Sequence, residues 1–230
     1  MTSELYLSRK EVRAVDQAAM EQYHLPGIVL MENAGLNAVR YIEKLGDFQK
    51  IVVCAGKGNN GGDGFVIARH LQFLGREVHI LLFADPEKLS GDARTNYEIC
   101  RAGELPLTIH ATADPEELDL KSITTELTSA DLVIDALLGT GTRGEVREPY
   151  ATLIAAINDA ARPVVAIDLP SGLDCDSGEP LGPTIKAWET VTMVAHKKGF
   201  ANAESKPYTG KVTVVPIGIC RKQQEELLGS

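Results

Sequence analysis

From Lys50 onward the chain repeats one pattern that leaves few folds open: a short apolar run, an amphipathic stretch, then another run. The runs occupy residues 51–55, 78–83, 105–110, 132–138, 164–169, 191–195 and 212–217. Several are almost continuously apolar, as expected of strands covered on both faces. Between them, stretches such as 149–161 place Leu153, Ile154, Ile157 and Ala161 on one helical face. This alternation predicts an α/β fold: a mostly parallel sheet built from right-handed crossovers and sandwiched between helices. Ligands of such sheets bind beyond the carboxyl ends of the strands, so function is sought in the turns that follow the runs.

Two helices precede the first strand. Ser8 and Glu11 have the spacing of a capping box, which predicts a helix over 8–23 with Val12, Val15, Ala19 and Tyr23 on one face. Pro26 and Gly27 break that pattern, and a second helix is expected over 28–45, ending near Gly46. No repeat, low-complexity segment or linker divides the chain, so residues 1–230 are expected to form one domain. The 32 acidic residues against 23 basic ones give a net charge of −9, which disfavours nucleic acid and anionic membranes as partners of the whole surface. Cys54, Cys100, Cys175 and Cys220 are far apart with no CxxC pair, and are expected to stay reduced. The first ten residues lack the apolar run of a signal peptide, and no apolar stretch approaches the ~20 residues of a membrane span. A cytoplasmic protein is the expectation. The histidines His24, His70, His79, His110 and His196 show no metal-ligand spacing and are expected to be structural or superficial.

Three turns carry chemistry. The first, residues 56–64, holds five glycines with Asn59, Asn60 and Asp63, and a helical pattern follows over 65–74. Glycines there are expected to allow positive φ and close approach of backbone N–H groups to an anion, aided by the helix dipole. Gly56 to Gly61 also fits G-x-G-x-x-G, which gains weight only from the strand before it and the helix after it. The alternative is a tight strand–helix turn with no ligand. The second turn reads Gly139, Thr140, Gly141, Thr142, Arg143, Gly144, Glu145, and its amides and guanidinium suit phosphate oxygens; the alternative is a flexible loop with a solvated arginine. The third begins at Asp168, whose carboxylate ends a buried strand and so faces the ligand crevice, placed to hydrogen-bond a hydroxyl or exchange a proton. A capping Asp before Pro170 is the plainer alternative. Ser171 lacks the G-x-S-x-G setting of a serine nucleophile. Asp135 sits inside a predicted strand and needs a partner if buried. Asn60, Asp135 and Ser171 all fall near strand ends, and with backbone carbonyls they would make an all-oxygen cage for a hard cation of unspecified kind.

The motifs Gly-Asn-Asn-Gly-Gly-Asp-Gly (58–64), Asp-Ala-Leu-Leu-Gly-Thr-Gly (135–141) and Asp-Leu-Pro-Ser-Gly-Leu-Asp (168–174) together resemble the NAD(P)H-hydrate epimerase family, the YjeF N-terminal domain. The resemblance extends to Met31-Glu32-Asn33-Ala34-Gly35 and covers nearly the whole chain. It implies a Rossmann-like three-layer αβα sandwich and an isomerase that equilibrates the 6R and 6S epimers of hydrated NADH and NADPH. A separate 6S-specific dehydratase would then complete the repair, and the chain's end near Ser230 leaves that activity to another protein. The resemblance further implies that Asn59, Asn60, Gly61, Gly62 and Asp63, with Gly139 to Glu145, cradle the nucleotide. Asp168 would contact the hydrated ring and assist proton transfer, and Asn60, Asp135 and Ser171 would hold a potassium ion. Arg143 would steady either phosphate or the reacting ring. A homodimer packed through the N-terminal helices is also expected. One rival is an NAD-dependent dehydrogenase, with Asp85 as a loose ribose-binding candidate. The other is a nucleotide-binding or interaction module of the same fold.

Overall fold

The computed structural model describes residues 5–112, 114–220, 222–223 and 226; both ends of the expected 1–230 domain lie outside them. The described chain opens with the short strand β1 (Tyr6–Leu7). Ser8 then starts α1 (Arg9–Glu21): its hydroxyl accepts from the Glu11 amide at 3.3 Å, and the Glu11 carboxylate accepts from the Ser8 amide at 2.7 Å. Both otherwise unsatisfied amides are thereby used, as the sequence spacing predicts. Val12, Val15 and Ala19 are buried, while Tyr23 lies beyond the helix end and is half-buried. α2 (Gly27–Leu45) stops at Gly46.

The sheet strands and helices then alternate: β2 (Lys50–Ala55), α3 (Asn59–Phe73), β3 (Glu77–Leu82), α4 (Gly91–Ala102), β4 (Leu107–Ile109), α5 (Leu120–Ser129), β5 (Leu132–Ala136), α6 (Tyr150–Asp159) and β6 (Val164–Ile167). β7 (Glu189–Met193), the short β8 (His196–Lys197), the one-turn α7 (Lys206–Thr209) and β9 (Lys211–Val215) complete the order. Seven strands form one sheet in the order β4-β3-β2-β5-β6-β7-β9, every pair parallel. β1 and β8 make a separate parallel pair. All seven apolar runs therefore contain strands. The runs overshoot the ladders, because apolarity marks burial and not pairing: Phe83, Leu137, Leu169, Val194 and Ile217 stay buried after their strands have ended.

Strand residues alternate between two cores. Ile51, Val53 and Ala55 of β2 face a layer made by Val15 of α1, Val39 of α2, Phe65 of α3 and Cys100 of α4. Val52 and Cys54 face the opposite layer, with Ile123 and Leu127 of α5 and Leu153, Ile154 and Ile157 of α6. Each such fully buried aliphatic or aromatic side chain contributes roughly 1.5–3 kcal/mol. The result is a three-layer αβα sandwich with an N-terminal helical extension, whose helices pack in the same layer as α3 and α4. The apolar face of α1 is thus turned inward; Met20 and Val29 are what these two helices leave exposed. Ala161, expected on the α6 face, lies past its end and is exposed.

One crossover departs from strand–helix alternation. The connection from β6 to β7 contains no helix; it is closed by an antiparallel bridge between Leu173 and Pro180. Pro170, Pro180 and Pro183, with Gly172, Gly178 and Gly182 at positive φ, explain why no helix forms there. No helix of the described residues is long and apolar enough to cross a membrane.

Candidate functional site

From β2 the chain moves outward to β3 and β4, then returns to the other side of β2 as β5. The loops after β2 and β5 therefore diverge at the topological switch point, where such sheets bind ligands. The Gly56 amide donates to Ala136 O at 3.0 Å and ties the two loops at their roots. A cavity of about 790 Å³ opens there, a volume typical of small-molecule sites. Its walls come from α1, α2, both loops, Asp92 of α4 and the ends of β6 and β7.

The glycine-rich segment is built differently from the expectation. Residues from Asn59 are already helical, so 59–64 is the first turn and a half of α3 and not a loop. None of its glycines has positive φ. They are there for close packing: a Cβ at Gly61 would lie 1.9 Å from Gly56 O, and one at Gly56 would lie 2.0 Å from Leu137 O. Composition alone pointed to the right segment for a partly wrong reason. What remains of the anion argument is the N-terminus of α3, where Gly58 supplies no side-chain cap and Gly58, Asn59 and Asn60 line the cavity.

Asn60, Asp135 and Ser171 do converge. Asp135 and Ser171 are wholly buried beneath the cavity floor. Ser171 donates from its hydroxyl to Asp135 Oδ1 at 2.6 Å and from its amide to Oδ2 at 2.8 Å; the Leu137 amide donates to Oδ1 at 3.2 Å. Burial pushes the Asp135 carboxyl up to about 6 against these bonds. Asn60 donates to Leu138 O at 3.0 Å, and its buried Oδ1 has no hydrogen-bond partner. An orphaned amide oxygen beside a buried carboxylate without a cationic partner is a low-charge, all-oxygen donor set. It fits a hard monovalent cation better than zinc. Among the described residues no cluster of three or more His, Cys, Asp and Glu is placed to hold a metal.

Asp168 ends β6 at φ 66°, with Leu169 N donating to Ile167 O at 2.8 Å; Val194 ends β7 at φ 70°, with Ala195 N donating to Met193 O at 2.8 Å. Both are γ-turns of the rare positive-φ kind, and for a β-branched valine that conformation is strained. Such strain collects at functional sites. The second turn swings the chain so that Lys197, fully buried, points back at Asp168: Nζ lies 2.6 Å from Asp168 Oδ1 and 3.0 Å from Met193 O. Asp63 and Asp16 stand near this pair. The Asp63 carboxyl is raised well above its ordinary value by loss of hydration, then by Asp168 and Asp16. Asp16 is raised to about 6 by the same loss, then by Asp168.

Arg13, Lys57, Arg143 and Arg147 line the cavity, and none has a side-chain partner among the described residues. In a chain of net charge −9, four unpaired cations on the walls of one cavity suit an anionic ligand. Of the residues singled out from the sequence, Asn59, Asn60, Asp63, Gly139, Thr140, Gly141, Thr142, Arg143, Glu145 and Asp168 line the cavity; Gly61, Gly62 and Gly144 do not. Lys197, Asp16, Arg13, Lys57 and Arg147 went unnoticed. A charged residue on an amphipathic helix reads as a solvated face, and nothing local separates buried Lys197 from exposed Lys198.

The other expectations settle simply. His70 pairs with Glu32 at 2.7 Å, His79 bonds Thr108 at 2.9 Å, and His110 stacks on Phe83 at 5.1 Å, one residue beyond β4. Asp85 caps a 3₁₀ turn by accepting from the Glu87 amide, a structural role for the dehydrogenase candidate. Glu32 also pairs with Arg69, Asn33 donates to Ile217 O at 3.2 Å, and a Cβ at Gly35 would lie 2.5 Å from Val66 Cγ1. The Met31–Gly35 motif therefore serves mainly to dock α2 on α3.

The profile of the family described as YjeF-related protein N-terminus matches residues 27–199. An NAD(P)H-hydrate epimerase of Rhodopirellula baltica is 40% identical over 210 residues, covering 91% of this chain and 83% of its own length. That of Pirellula staleyi is 39% identical and covers 95% of each chain. A bifunctional NAD(P)H-hydrate repair enzyme of Moorella thermoacetica is 44% identical over 92% of this chain but only 40% of its own length. The crystal structure of yeast ynu0 superposes with a TM-score of 0.80 over 97% of this chain and 93% of the yeast chain, at 21% identity.

Proposed function

The chain belongs to the YjeF-related N-terminal family, and we propose that within it this protein is an NAD(P)H-hydrate epimerase, interconverting the 6R and 6S forms of hydrated NADH and NADPH. The carrying observation is the switch-point cavity, with four unpaired cations on its walls and Asp168 facing in, backed by buried Lys197. The cations suit the phosphates of a dinucleotide, and we assign Arg143 to that group. C6 of the hydrate bears a hydroxyl and a ring nitrogen. Inverting it requires a bond to C6 to break and reform while a proton leaves and returns. A carboxyl group held at the wall by a buried ammonium is suited to that exchange.

The same proposal gives Asn60, Asp135 and Ser171 a potassium ion, which would screen the buried carboxylate and pin the loops after β2, β5 and β6. The 6S product is left for a separate dehydratase. A cytoplasmic homodimer completes it. Four unpaired thiols, three of them buried, suit a reducing compartment, and exposed Met20 and Val29 supply apolar contact between copies. Cell fractionation tests the first of these, and a monomer mass in light scattering would refute the second.

The deciding experiment exhausts mixed NADHX epimers with a 6S-specific dehydratase, adds this protein in potassium buffer, and follows NADH recovery. A second phase well beyond the spontaneous rate is expected. That phase and the melting temperature should both fall when choline replaces potassium at equal ionic strength. No acceleration by folded protein would leave a nucleotide-binding module as the better reading.

A further inference from the structure

α1 lies before the segment that the family profile matches, yet it forms part of the cavity wall through Val12 and Arg13, then Asp16 and Met20 on the next two turns of the same side. Its position is fixed from several directions. β1 pairs with β8 in the register Leu7↔Lys197, so the start of α1 is tied to the strand that carries the buried lysine. The capping box seals its first turn, the Arg9 guanidinium holds Asp174 at 3.0 Å, and the Arg9 amide donates to Asp176 at 2.7 Å. A side chain delivered by such a helix is placed as firmly as one from the sheet.

Charge assigns the roles. Three carboxyl groups, Asp16, Asp63 and Asp168, surround one buried ammonium, and that ammonium is committed to Asp168. Neither Asp16 nor Asp63 has a side-chain hydrogen bond or ion pair among the described residues. Loss of hydration and the neighbouring carboxylates raise both of the unpaired groups. The Asp63 carboxyl is raised well above its ordinary value, whereas Asp16, at about 6, can give and retake a proton near neutrality. The other ionisable groups on the cavity wall are Arg13 of α1 itself, Lys57, Asp92 of α4, Arg143, Glu145 and Arg147 after β5, and Tyr150 of α6.

We propose that Asp16 is the second proton-transfer group of this site, working beside Asp168, with Lys197 as the positioning cation that holds the Asp168 carboxyl in place. This rests on the epimerase reading. Asp168 takes the proton of the C6 hydroxyl, and the freed O–H electron pair becomes the second bond of a carbonyl at C6. The C6–N1 bond breaks, and its electron pair stays on N1, which takes the proton of Asp16. Rotation about C5–C6 presents the other face of the aldehyde. N1 adds to it and returns its proton to Asp16, while the new alkoxide recovers a proton from Asp168. Nothing is oxidised or reduced, and no water enters.

The test uses full-length protein in the coupled assay, with parent and variants side by side. Asp16→Asn should lower kcat by ~100-fold or more with KM little changed, and should flatten the limb of the kcat–pH profile near pH 6. Asp16→Glu should recover part of the rate, and formate should partly rescue Asp16→Ala. Lys197→Met, which removes the buried cation 2.6 Å from the Asp168 carboxyl, should move the acid limb of the kcat–pH profile upward. Stability provides an independent readout. Asp16 has its folded value raised, so its contribution is present below the unfolded value and lost as pH rises through about 6. Asp16→Asn should therefore melt no lower than the parent at pH 7.5. An active parent with Asp16→Asn keeping its kcat, or raising KM alone, overturns the proposal while the epimerase reading stands. If Asp16→Asn fails to fold, absence of formate rescue in Asp16→Ala overturns it instead. An inactive parent removes the epimerase reading, and this proposal with it.

Discussion

Asp168→Asn is expected to lower epimerase turnover by roughly 10²–10⁴-fold, the range for losing a proton-transfer group, while binding of intact NADP⁺ by calorimetry stays near the parent value. The amide keeps the shape of the carboxylate and can still accept from Lys197 Nζ, now at 2.6 Å from Oδ1, but it cannot take a proton. The groups assigned to phosphate, Arg13, Lys57, Arg143 and Arg147, lie elsewhere on the wall and are untouched. The substitution also leaves a fully buried ammonium without its counter-charge, so some stability should be lost. Thermal melting separates that loss from the loss of chemistry. A folded variant that still epimerises at the parent rate would remove Asp168 from the mechanism.

The reasons this residue, and not its partner, stood out in the sequence are physical. A parallel sheet covered on both faces writes itself into the chain locally, as apolar runs with helical patterns between them, and the Ser8–Glu11 box announces α1 three residues at a time. Asp168 is legible because it ends such a run. Strand order is not local. That β5 returns beside β2 and creates the switch point emerges only from packing, so the wall formed by both loops had no single signature. Lys197 reaches Asp168 through the turn at Val194, a positive-φ conformation that no sequence rule assigns to valine. The glycines of 56–64 were visible by abundance. Their purpose was not, because it depends on how closely β2, α3 and the loop after β5 approach one another. Asp16 and Arg13 had the look of a solvated helix face until the β1–β8 pairing laid that face over the cavity.

Asp135→Ala should be the most destabilising single change in the site, at about 4 kcal/mol. Asp135 accepts from the Ser171 hydroxyl, the Ser171 amide and the Leu137 amide. Removing it strands the two buried amides, each worth ~1–3 kcal/mol when unsatisfied, while the Ser171 hydroxyl keeps Leu138 O at 3.2 Å as an acceptor. In a chain of this size that is a melting-temperature drop of roughly 10 °C. A drop of only a degree or two would mean that the network contributes little. Asn60→Ala supplies the contrast, since Asn60 makes one side-chain hydrogen bond, to Leu138 O, and its Oδ1 has none to lose. In choline buffer it should cost about 1 kcal/mol. If the orphaned oxygen is a potassium ligand, the extra stability that potassium gives the parent should vanish in Asn60→Ala although the Asp135–Ser171 network is intact. If that increment survives, the oxygen cage is a folding device alone, and the three loops are held together by hydrogen bonds without an ion.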